Sequence, residues 1–235
     1  MDVKGFIDVS FVDWDSKIAS VLFLSSCNFR CPFCHNVNLV LHPEKLDTIP
    51  FEYLEEQFER HRGWVDGLCI TGGEPTLHSD LPQLCHKLKK LGFQVKLDTN
   101  GTNPTMLKEL VDGKLVDYVA MDVKAPLTVK KYSGATGVET DRLLENVKES
   151  IRFLLESNVD YEFRTTVVPS IHSLEDIEQI CVSLVGCNKY VLQKFDVSIG
   201  KTIIDQNLGS KTFSEKEMQQ FLELAQKHIP NTKLR

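Results

Sequence analysis

Strand-like apolar runs alternate with helix-like segments along most of this chain, and that alternation limits the choice of fold. After Ile18 the alternation occurs six times, and most of the strand-like runs are followed by glycine or polar residues. Helices between successive strands imply crossover connections, and crossover connections imply parallel strands. The predicted strands are residues 18–24, 68–71, 93–97, 118–123, 161–168 and 190–195.

Six strand–helix units are fewer than the eight of a full (β/α)8 barrel. The alternation therefore predicts an α/β fold with an open, partial (β/α)6 barrel, and an ordinary doubly wound sheet is the alternative. A short strand within residues 5–12 precedes the barrel, and a helix at about 215–228 follows the last strand. We interpret the chain as one domain, with a core at about 18–195 and a C-terminal extension at about 196–235.

The connections between the predicted strands are of two kinds. Periodic apolar residues indicate helices, and Ser173 with Asp176 and Ser214 with Glu217 have the spacing of capping boxes. Two longer connections instead have the composition of loops, with Pro43, Pro50, Gly134 and Gly137. The predicted helices are residues 51–61, 81–91, 104–111, 140–157 and 173–185, and the predicted loops are residues 35–50 and 127–139.

Composition and charge narrow the class of protein. The apolar share of 42% is enough for a full core, and the net charge of −6 argues against a general nucleic-acid surface. No window reaches the roughly 18 apolar residues of a membrane span, and the first ten residues lack the hydrophobic region of a signal peptide. We therefore expect a cytoplasmic enzyme with reduced cysteines. Four of these are expected to be structural thiols: Cys69, Cys85, Cys181 and Cys187.

The other three cysteines, Cys27, Cys31 and Cys34, lie within eight residues directly after the strand at 18–24. Thiolates are soft ligands that suit zinc or iron–sulfur clusters. A structural zinc site normally has four protein ligands, and no second closely spaced cysteine pair follows in the chain. A [4Fe–4S] cluster is usually held by four cysteines, so a cluster held by three would keep one iron open to a ligand that is not protein.

Polar groups also follow the next strands. Residues 72–75 (Gly-Gly-Glu-Pro) follow the second strand, residues 98–101 (Asp-Thr-Asn-Gly) follow the third, and Asp122 and Lys124 end the fourth. Arg164 interrupts the apolar fifth strand and needs an anionic partner, which a ligand carboxylate or Asp122 could supply. Parallel strands bring their carboxyl ends to one edge of a sheet, where ligands bind.

Each of these groups also has a plain structural interpretation. Paired glycines allow close backbone approach to a ligand, but they also form ordinary turns. The carboxylate, hydroxyl and amide of residues 98–100 could hold ribose hydroxyls or a cation, although Asn-Gly by itself is a common turn. Asp122 and Lys124 share a strand face and could form an ion pair that looks into a site or one that only supports the strand end.

The spacing Cys-x3-Cys-x2-Cys, with Phe33 before the last cysteine and a Gly-Gly-Glu motif at the next strand end, resembles the radical S-adenosylmethionine (radical SAM) enzymes. The resemblance implies a [4Fe–4S] cluster on Cys27, Cys31 and Cys34 whose open iron binds the amino and carboxylate groups of S-adenosylmethionine. One electron from the cluster then yields a 5′-deoxyadenosyl radical. No catalytic protein group beyond these cofactors is implied. The same resemblance implies that the motif at Gly72, Gly73 and Glu74 contacts the amino group.

The motifs at residues 98–101, 122–124 and 163–170 resemble in particular the activases of glycyl-radical enzymes. This resemblance implies that Lys124 binds the carboxylate of S-adenosylmethionine and that Arg164 stands near the cofactor. It also assigns two aspartates to the neighbourhood of the cofactor and of a monovalent cation. The cofactor-binding residues expected from these motifs are Asp98, Asn100, Asp122, Lys124 and Arg164.

The opening segment at residues 5–36 is similar to the short activating proteins of the anaerobic ribonucleoside-triphosphate reductase. That similarity implies a large glycyl-radical enzyme as protein substrate and a flavodoxin or ferredoxin as electron donor. The alternatives are an activase of the pyruvate formate-lyase type, a small-molecule radical SAM enzyme such as a deazaguanine synthase, and a non-catalytic Fe–S electron carrier or zinc-binding module. Candidate contact surfaces are residues 35–50, residues 127–139 and the final helix.

Overall fold

The structure is a computed structural model that describes residues 2–196, 202–209 and 211–235. The chain divides into two compact units. The first unit comprises Met1–Asn28, Asn38–Thr99 and Thr105–Val119, and the second comprises Phe29–Val37, Asn100–Pro104 and Ala120–Arg235. The interpretation of residues 1–235 as one domain stays a prediction.

The described residues form strands that follow the predicted rhythm. Within each unit, the strands that pair are neighbours in the chain. The strands are β1 (Val3–Ser10), β2 (Ala19–Leu24), β3 (Gly67–Gly72), β4 (Gln94–Thr99), β5 (Tyr118–Asp122), β6 (Asp160–Val167), β7 (Tyr190–Lys194) and β8 (Thr232–Leu234).

Helices connect successive strands after β2, as the alternation predicts. Short 3-10 helices lie at Pro43–Lys45, Pro75–Leu77 and Gln206–Leu208. The α-helices are α1 (Val37–Leu41), α2 (Phe51–His61), α3 (Leu81–Lys90), α4 (Pro104–Asp112), α5 (Val129–Thr136), α6 (Asp141–Glu156), α7 (Leu174–Ser183) and α8 (Glu215–His228).

In the first unit, β1 pairs with β2 in antiparallel fashion, whereas β2 with β3 and β3 with β4 are parallel. The parallel strands β2 and β3 are apolar on both faces, because helices cover both faces of a parallel sheet. Val21 and Leu22 of β2 and Ile70 of β3 are fully buried. Leu54 and Phe58 of α2 and Leu84 and Leu88 of α3 supply helical core residues of this unit.

In the second unit, β6 pairs with β7 and β7 with β8, in both cases parallel. The long helix α6 buries Leu144, Val147, Ile151 and Leu154 on one stripe, at the spacing of an amphipathic helix. Capping boxes start two helices: Ser173 with Asp176 at α7, and Ser214 with Glu217 at α8. Both capping boxes confirm the sequence prediction.

Four sequence predictions were wrong in detail. Residues 35–50 contain α1 and a 3-10 helix, and residues 127–139 contain α5, because helices this short have too few turns for periodicity to show. Strand β7 is not the last strand, since the three residues of β8 pair beside it. Strand β4 continues through Asp98 and Thr99, so these two residues belong to the strand rather than to the turn after it.

None of the helices among the described residues combines the length and the apolar character that a bilayer crossing needs.

Candidate active site

The candidate site residues of the first unit begin where β2 and β3 end. The amide of Gly73 donates to the carbonyl of Leu24 at 2.9 Å, and the amide of Glu74 donates to the carbonyl of Ser26 at 2.7 Å. A Cβ atom on Gly73 would lie 1.7 Å from the carbonyl oxygen of Ser26. Gly72 has a positive φ of 124°, which favours glycine. The paired glycines therefore let this turn approach the backbone that leads directly into Cys27.

Glu74 connects two strand ends through its side chain. Its carboxylate oxygen Oε1 accepts hydrogen bonds from the amide of Thr76 at 3.1 Å and from the hydroxyl of Thr99 at 2.7 Å. The side chain thereby caps the 3-10 helix at Pro75–Leu77 and joins the end of β3 to the end of β4. Since Glu74 is 1% exposed, these bonds satisfy a carboxylate that would otherwise be costly to bury.

Asp98, near the end of β4, binds a buried lysine. Lys96 lies two residues earlier on the same strand face, and its ammonium group forms an ion pair with Oδ1 of Asp98. The same Nζ atom lies 3.6 Å from the sulfur of Cys69, which pairs across from Lys96 in β3. Lys96 was not among the predicted site residues. The available signal was a charged residue inside an apolar strand, the same signal that identified Arg164.

In the second unit, two neighbouring elements hold the loop that carries Cys31 and Cys34. The amide of Arg30 donates to the carbonyl of Thr136 in α5 at 2.8 Å, and the α5 terminus at Gly137 passes so close to Arg30 that a Cβ atom would lie 2.2 Å from its carbonyl oxygen. The amide of Asp205 donates to the carbonyl of Pro32 at 3.0 Å, and that of Ile204 to the carbonyl of Cys34 at 3.2 Å. The position of the loop therefore depends on tertiary contacts.

Aromatic packing supports the same loop. The Phe29 ring lies edge-on to Tyr132 with 6.2 Å between centroids, and the Phe33 ring lies edge-on to Phe195 at 6.5 Å. Burial raises the pKa of the Cys31 thiol to about 11, although the positive charge of Lys124 acts in the opposite direction. Burial also raises the pKa of Cys34.

Asp122, at the end of β5, binds two cationic side chains. Its Oδ2 atom lies 2.9 Å from Nζ of Lys124, and its Oδ1 atom lies 2.8 Å from Nε of Arg164. Burial by itself would raise the pKa of Asp122, but the charges of Arg164 and Lys124 outweigh it and lower the pKa to about 2. The predicted Asp122–Lys124 ion pair is thus confirmed, and of the two partners considered for Arg164, Asp122 is present.

The backbone at the end of β5 is held from several sides. The amide of Val123 donates to the carbonyl of Arg164 at 2.8 Å, and the hydroxyl of Thr165 donates to the carbonyl of Val123 at 2.7 Å. The amide of Lys124 approaches the hydroxyl oxygen of Tyr132 at 3.4 Å. These bonds fix the direction in which the Lys124 side chain leaves the strand.

His172 completes this support. Its Nδ1 atom accepts from the amide of Val168 at 3.0 Å, and its Nε2–H donates to the carbonyl of Lys124 at 2.9 Å. Burial lowers the pKa of His172, and the two hydrogen bonds define a neutral ring with its proton on Nε2. Sequence reasoning missed both Tyr132 and His172, because neither belongs to a motif and both act through the backbone of a neighbour.

Asn100 closes the turn after β4 within the second unit. Its side-chain oxygen accepts from the amide of Thr102 at 3.0 Å, and Ser150 of α6 donates to the carbonyl of Gly101 at 2.7 Å. Gly101 has a φ of 75°, and a Cβ atom there would lie 2.0 Å from the terminal methyl of Met121. The Asn-Gly pair therefore forms a tight bend after β4, and the assignment of Asn100 to a cofactor site stays a prediction.

The seven cysteines all lie in the described ranges, and none of them is disulfide-bonded. Cys69, Cys85 and Cys181 are fully buried, as expected of structural thiols, and Cys187 is half-buried. Over the described ranges, no three His, Cys, Asp or Glu side chains are gathered closely enough to hold a metal ion. The assignment of Cys27, Cys31 and Cys34 as cluster ligands thus depends on their spacing and their thiolate chemistry.

The strands are parallel and joined by crossover helices, and thiols and charged groups lie at the strand ends. This arrangement defines an α/β enzyme of the kind that binds a cofactor at the carboxyl ends of its strands. A model of the radical SAM superfamily matches residues 21–182. The chain belongs to the radical SAM superfamily and is an enzyme of the radical SAM activating type.

Relatives from Methanocaldococcus jannaschii agree with that assignment. The chain is 33% identical, over 99% of its length, to a candidate glycyl-radical enzyme activating enzyme and covers 95% of that protein. A second candidate activating enzyme from the same organism is 29% identical over 95% of this chain and is covered to 82%. The similarity thus extends well beyond the cysteine motif.

Solved structures support the fold. The crystal structure of Streptococcus suis SuiB bound to the precursor peptide SuiA matches 92% of this chain with a TM-score of 0.70 and 18% identity. The match covers 48% of SuiB, so this chain spans about half the length of that enzyme. The predicted fold class, a partial barrel of the radical SAM type, is confirmed.

Proposed function

We propose that this protein binds a [4Fe–4S] cluster and S-adenosylmethionine and generates a glycyl radical on a separate large enzyme. The anaerobic ribonucleoside-triphosphate reductase is the first candidate for that partner. The observation that carries the proposal is the Cys-x3-Cys-x2-Cys spacing in a chain that is 33% identical, over 99% of its length, to a candidate glycyl-radical enzyme activating enzyme.

The three thiols fit the cluster by their chemistry. Cys27, Cys31 and Cys34 supply three thiolates on one loop, and a [4Fe–4S] cluster with three protein ligands keeps one iron open. Thiols must lose their protons to bind iron. The positive charge of Lys124 opposes the effect of burial on Cys31 and therefore favours the thiolate.

The residues at the strand ends supply the groups that S-adenosylmethionine needs. Its carboxylate suits Lys124 and Arg164, since charge-assisted hydrogen bonds are among the strongest in proteins. Gly72, Gly73 and Glu74 are the proposed neighbours of its amino group, and Asp98, Asn100 and Asp122 belong to the same set by resemblance. The bound cluster and S-adenosylmethionine supply the radical chemistry, and the chain positions them and excludes water.

The partners follow from the same proposal. An electron must come from outside the chain, and a flavodoxin or ferredoxin in the reducing cytoplasm is the proposed donor. The docking face for the partner enzyme is proposed at residues 35–50, residues 127–139 and α8. Two of these regions lie next to the loop that carries Cys31 and Cys34. Residues 35–50 follow this loop in the chain, and Thr136 of α5 accepts a hydrogen bond from the amide of Arg30.

The test is anaerobic. The protein is reconstituted with iron and sulfide, reduced, mixed with S-adenosylmethionine, and assayed for 5′-deoxyadenosine with and without the large subunit of the reductase. The expected result is cleavage together with a glycyl radical signal on the large subunit. Cleavage without that signal would retain the radical SAM chemistry and redirect the search to another glycyl-radical enzyme, a peptide or a small molecule. An intact, reducible cluster with no cleavage would favour an electron carrier.

Cys31→Ala tests the cluster ligands. We expect this variant to lose most of the roughly four irons of the cluster, and all cleavage, while its far-UV circular dichroism stays native. Cys181→Ala is the matched control, because Cys181 is also a buried thiol of the same unit but lies outside the motif. Iron retention and cleavage by Cys31→Ala would refute the ligand assignment.

A further inference from the structure

Lys96 is a buried charge whose role the proposed function leaves open. Its side chain is 1% exposed and lies in β4, between the buried Val95 and Leu97 along the strand and opposite the buried Cys69 of β3. A buried ammonium group is costly unless it is paired and hydrogen-bonded. A pair of well-packed apolar residues would stabilise such a position at least as well as an ion pair does. What Lys96 supplies to this strand is therefore charge, and its ion-pair partner is Asp98.

Contacts within β4 and with β3 hold the Lys96 side chain. It is two residues before Asp98, so the two side chains leave β4 on one face. Its ammonium group contacts Oδ1 of Asp98 and the sulfur of Cys69, the residue opposite it in β3. An ammonium has three donors, and these contacts direct it toward the carboxylate. Asp98 itself is 13% exposed, so the pair lies at the accessible end of the strand.

The resemblance to activases implies a monovalent cation beside Asp98 and Asp122, and the contacts of these carboxylates do not fit that implication. Asp98 already binds the ammonium group of Lys96. Each oxygen of Asp122 already contacts a cationic side chain, Lys124 on one and Arg164 on the other. A metal ion placed on either carboxylate would meet a fixed positive charge, and like charges at such distances repel strongly.

We propose that Lys96 is the built-in counter-cation of Asp98 and that it replaces a monovalent metal ion, so that ligand binding at this strand end is independent of such an ion. Lys96 acts through Asp98 and is a positioning residue. That the bound ligand is S-adenosylmethionine rests on the proposed function, whereas the pairing of Lys96 with Asp98 does not.

Two measurements on the reconstituted protein test the proposal. The first is the affinity for S-adenosylmethionine by anaerobic calorimetry in choline, sodium and potassium chloride at equal ionic strength. The second is the midpoint of thermal unfolding in the same salts without S-adenosylmethionine. For the unmodified protein we expect neither quantity to change with the cation.

Lys96→Met removes the charge and keeps the length of the side chain. We expect its affinity for S-adenosylmethionine to be about tenfold weaker in choline than in potassium, and its unfolding midpoint to rise by a few degrees in potassium, because a cation that binds the native state stabilises it. Lys96→Arg retains the charge and should behave as the unmodified protein does. Lys89→Met is the matched control, because it breaks the more exposed Lys89–Asp117 pair of the same unit.

Cation-dependent affinity in the unmodified protein would overturn the proposal, and so would a folded Lys96→Met variant that responds to no cation in either measurement. If Lys96→Met does not fold, a double variant that combines Lys96→Met with Asp98→Asn tests whether the lost charge pair is the cause. Recovery of folding in the double variant supports charge pairing, and continued misfolding shows that Lys96 serves packing alone. If the unmodified protein binds no S-adenosylmethionine but the thermal pattern holds, the proposed function fails and the Lys96 assignment stands.

Discussion

Asp122 and Glu162 both bind two cationic side chains in the second unit, but their surroundings differ. Glu162, near the start of β6, contacts Lys189 at 2.7 Å and Arg235 at 2.9 Å, and its side chain is 1% exposed. Asp122, at the carboxyl end of β5, contacts Lys124 and Arg164 at similar distances and is 25% exposed. Similar chemistry therefore occurs once in a sealed position and once where a ligand can reach it.

The difference shows how position along a strand separates a structural clamp from a site that receives a ligand. Arg235 directly follows β8, so its ion pair with Glu162 connects the end of β8 to β6. Lys124 instead has its Nζ atom 6.0 Å from the centroid of the Phe33 ring in the cysteine loop. Ligands of parallel α/β folds bind at the carboxyl ends of strands, which is the end that Asp122 occupies.

The largest expected effect is on stability, at the sealed carboxylate. Glu162→Gln removes the negative charge that Lys189 and Arg235 both contact. It should lower the free energy of unfolding by about 3 kcal/mol, the scale of removing one partner from a buried pair. Urea denaturation measures this loss. Affinity for S-adenosylmethionine should not change, and a loss of affinity would abolish the distinction between the two carboxylates.

Lowering the pH should reduce the free energy of unfolding through Asp122, by less than the Glu162→Gln substitution does. Because its pKa is lowered from 3.8 to about 2, Asp122 stabilises the fold above pH 4, and that contribution disappears as the pH falls toward 2. The shift corresponds to about 2 kcal/mol. Glu162, whose pKa is lowered by Arg235 and Lys189 against the effect of burial, adds a loss below about pH 4.5.

The measurement is urea denaturation of the cluster-free protein between pH 5 and pH 2. Asp122→Asn should reduce the acid-dependent loss of stability relative to the unmodified protein, since the asparagine has no proton to gain. An identical loss in both proteins would mean that Asp122 is not held ionised by its two cations.

The smallest expected effect in free energy is functional. Lys124→Ala should weaken S-adenosylmethionine binding about tenfold, the scale of one charge-assisted hydrogen bond, without changing the iron content. Lys189→Ala is its control, because Lys189 holds the sealed Glu162. Calorimetry of both variants sharpens the comparison, and unchanged affinity in Lys124→Ala would make Lys124 a purely structural partner of Asp122.

Local pattern was enough to predict most of the fold and the chemistry of the strand ends. The helix at Phe51–His61, the helix at Glu215–His228 and both capping boxes were predicted because periodicity and capping are properties of neighbouring residues. The Asp122–Lys124 pair was predicted because alternate residues of a strand share a face. Helix α5 and strand β8 were missed because contacts with distant residues, rather than local periodicity, stabilise elements this short.

The amino-acid sequence by itself determined the α/β rhythm, the cysteine spacing and the charged residues at the strand ends, since all of these are encoded over a few neighbouring positions. Only the tertiary structure decided which groups far apart in the chain meet. Arg164 binds Asp122 across 42 residues, and His172 binds the carbonyl of Lys124 across 48. No local signal specifies such partners, because the fold brings them together after the strands have paired.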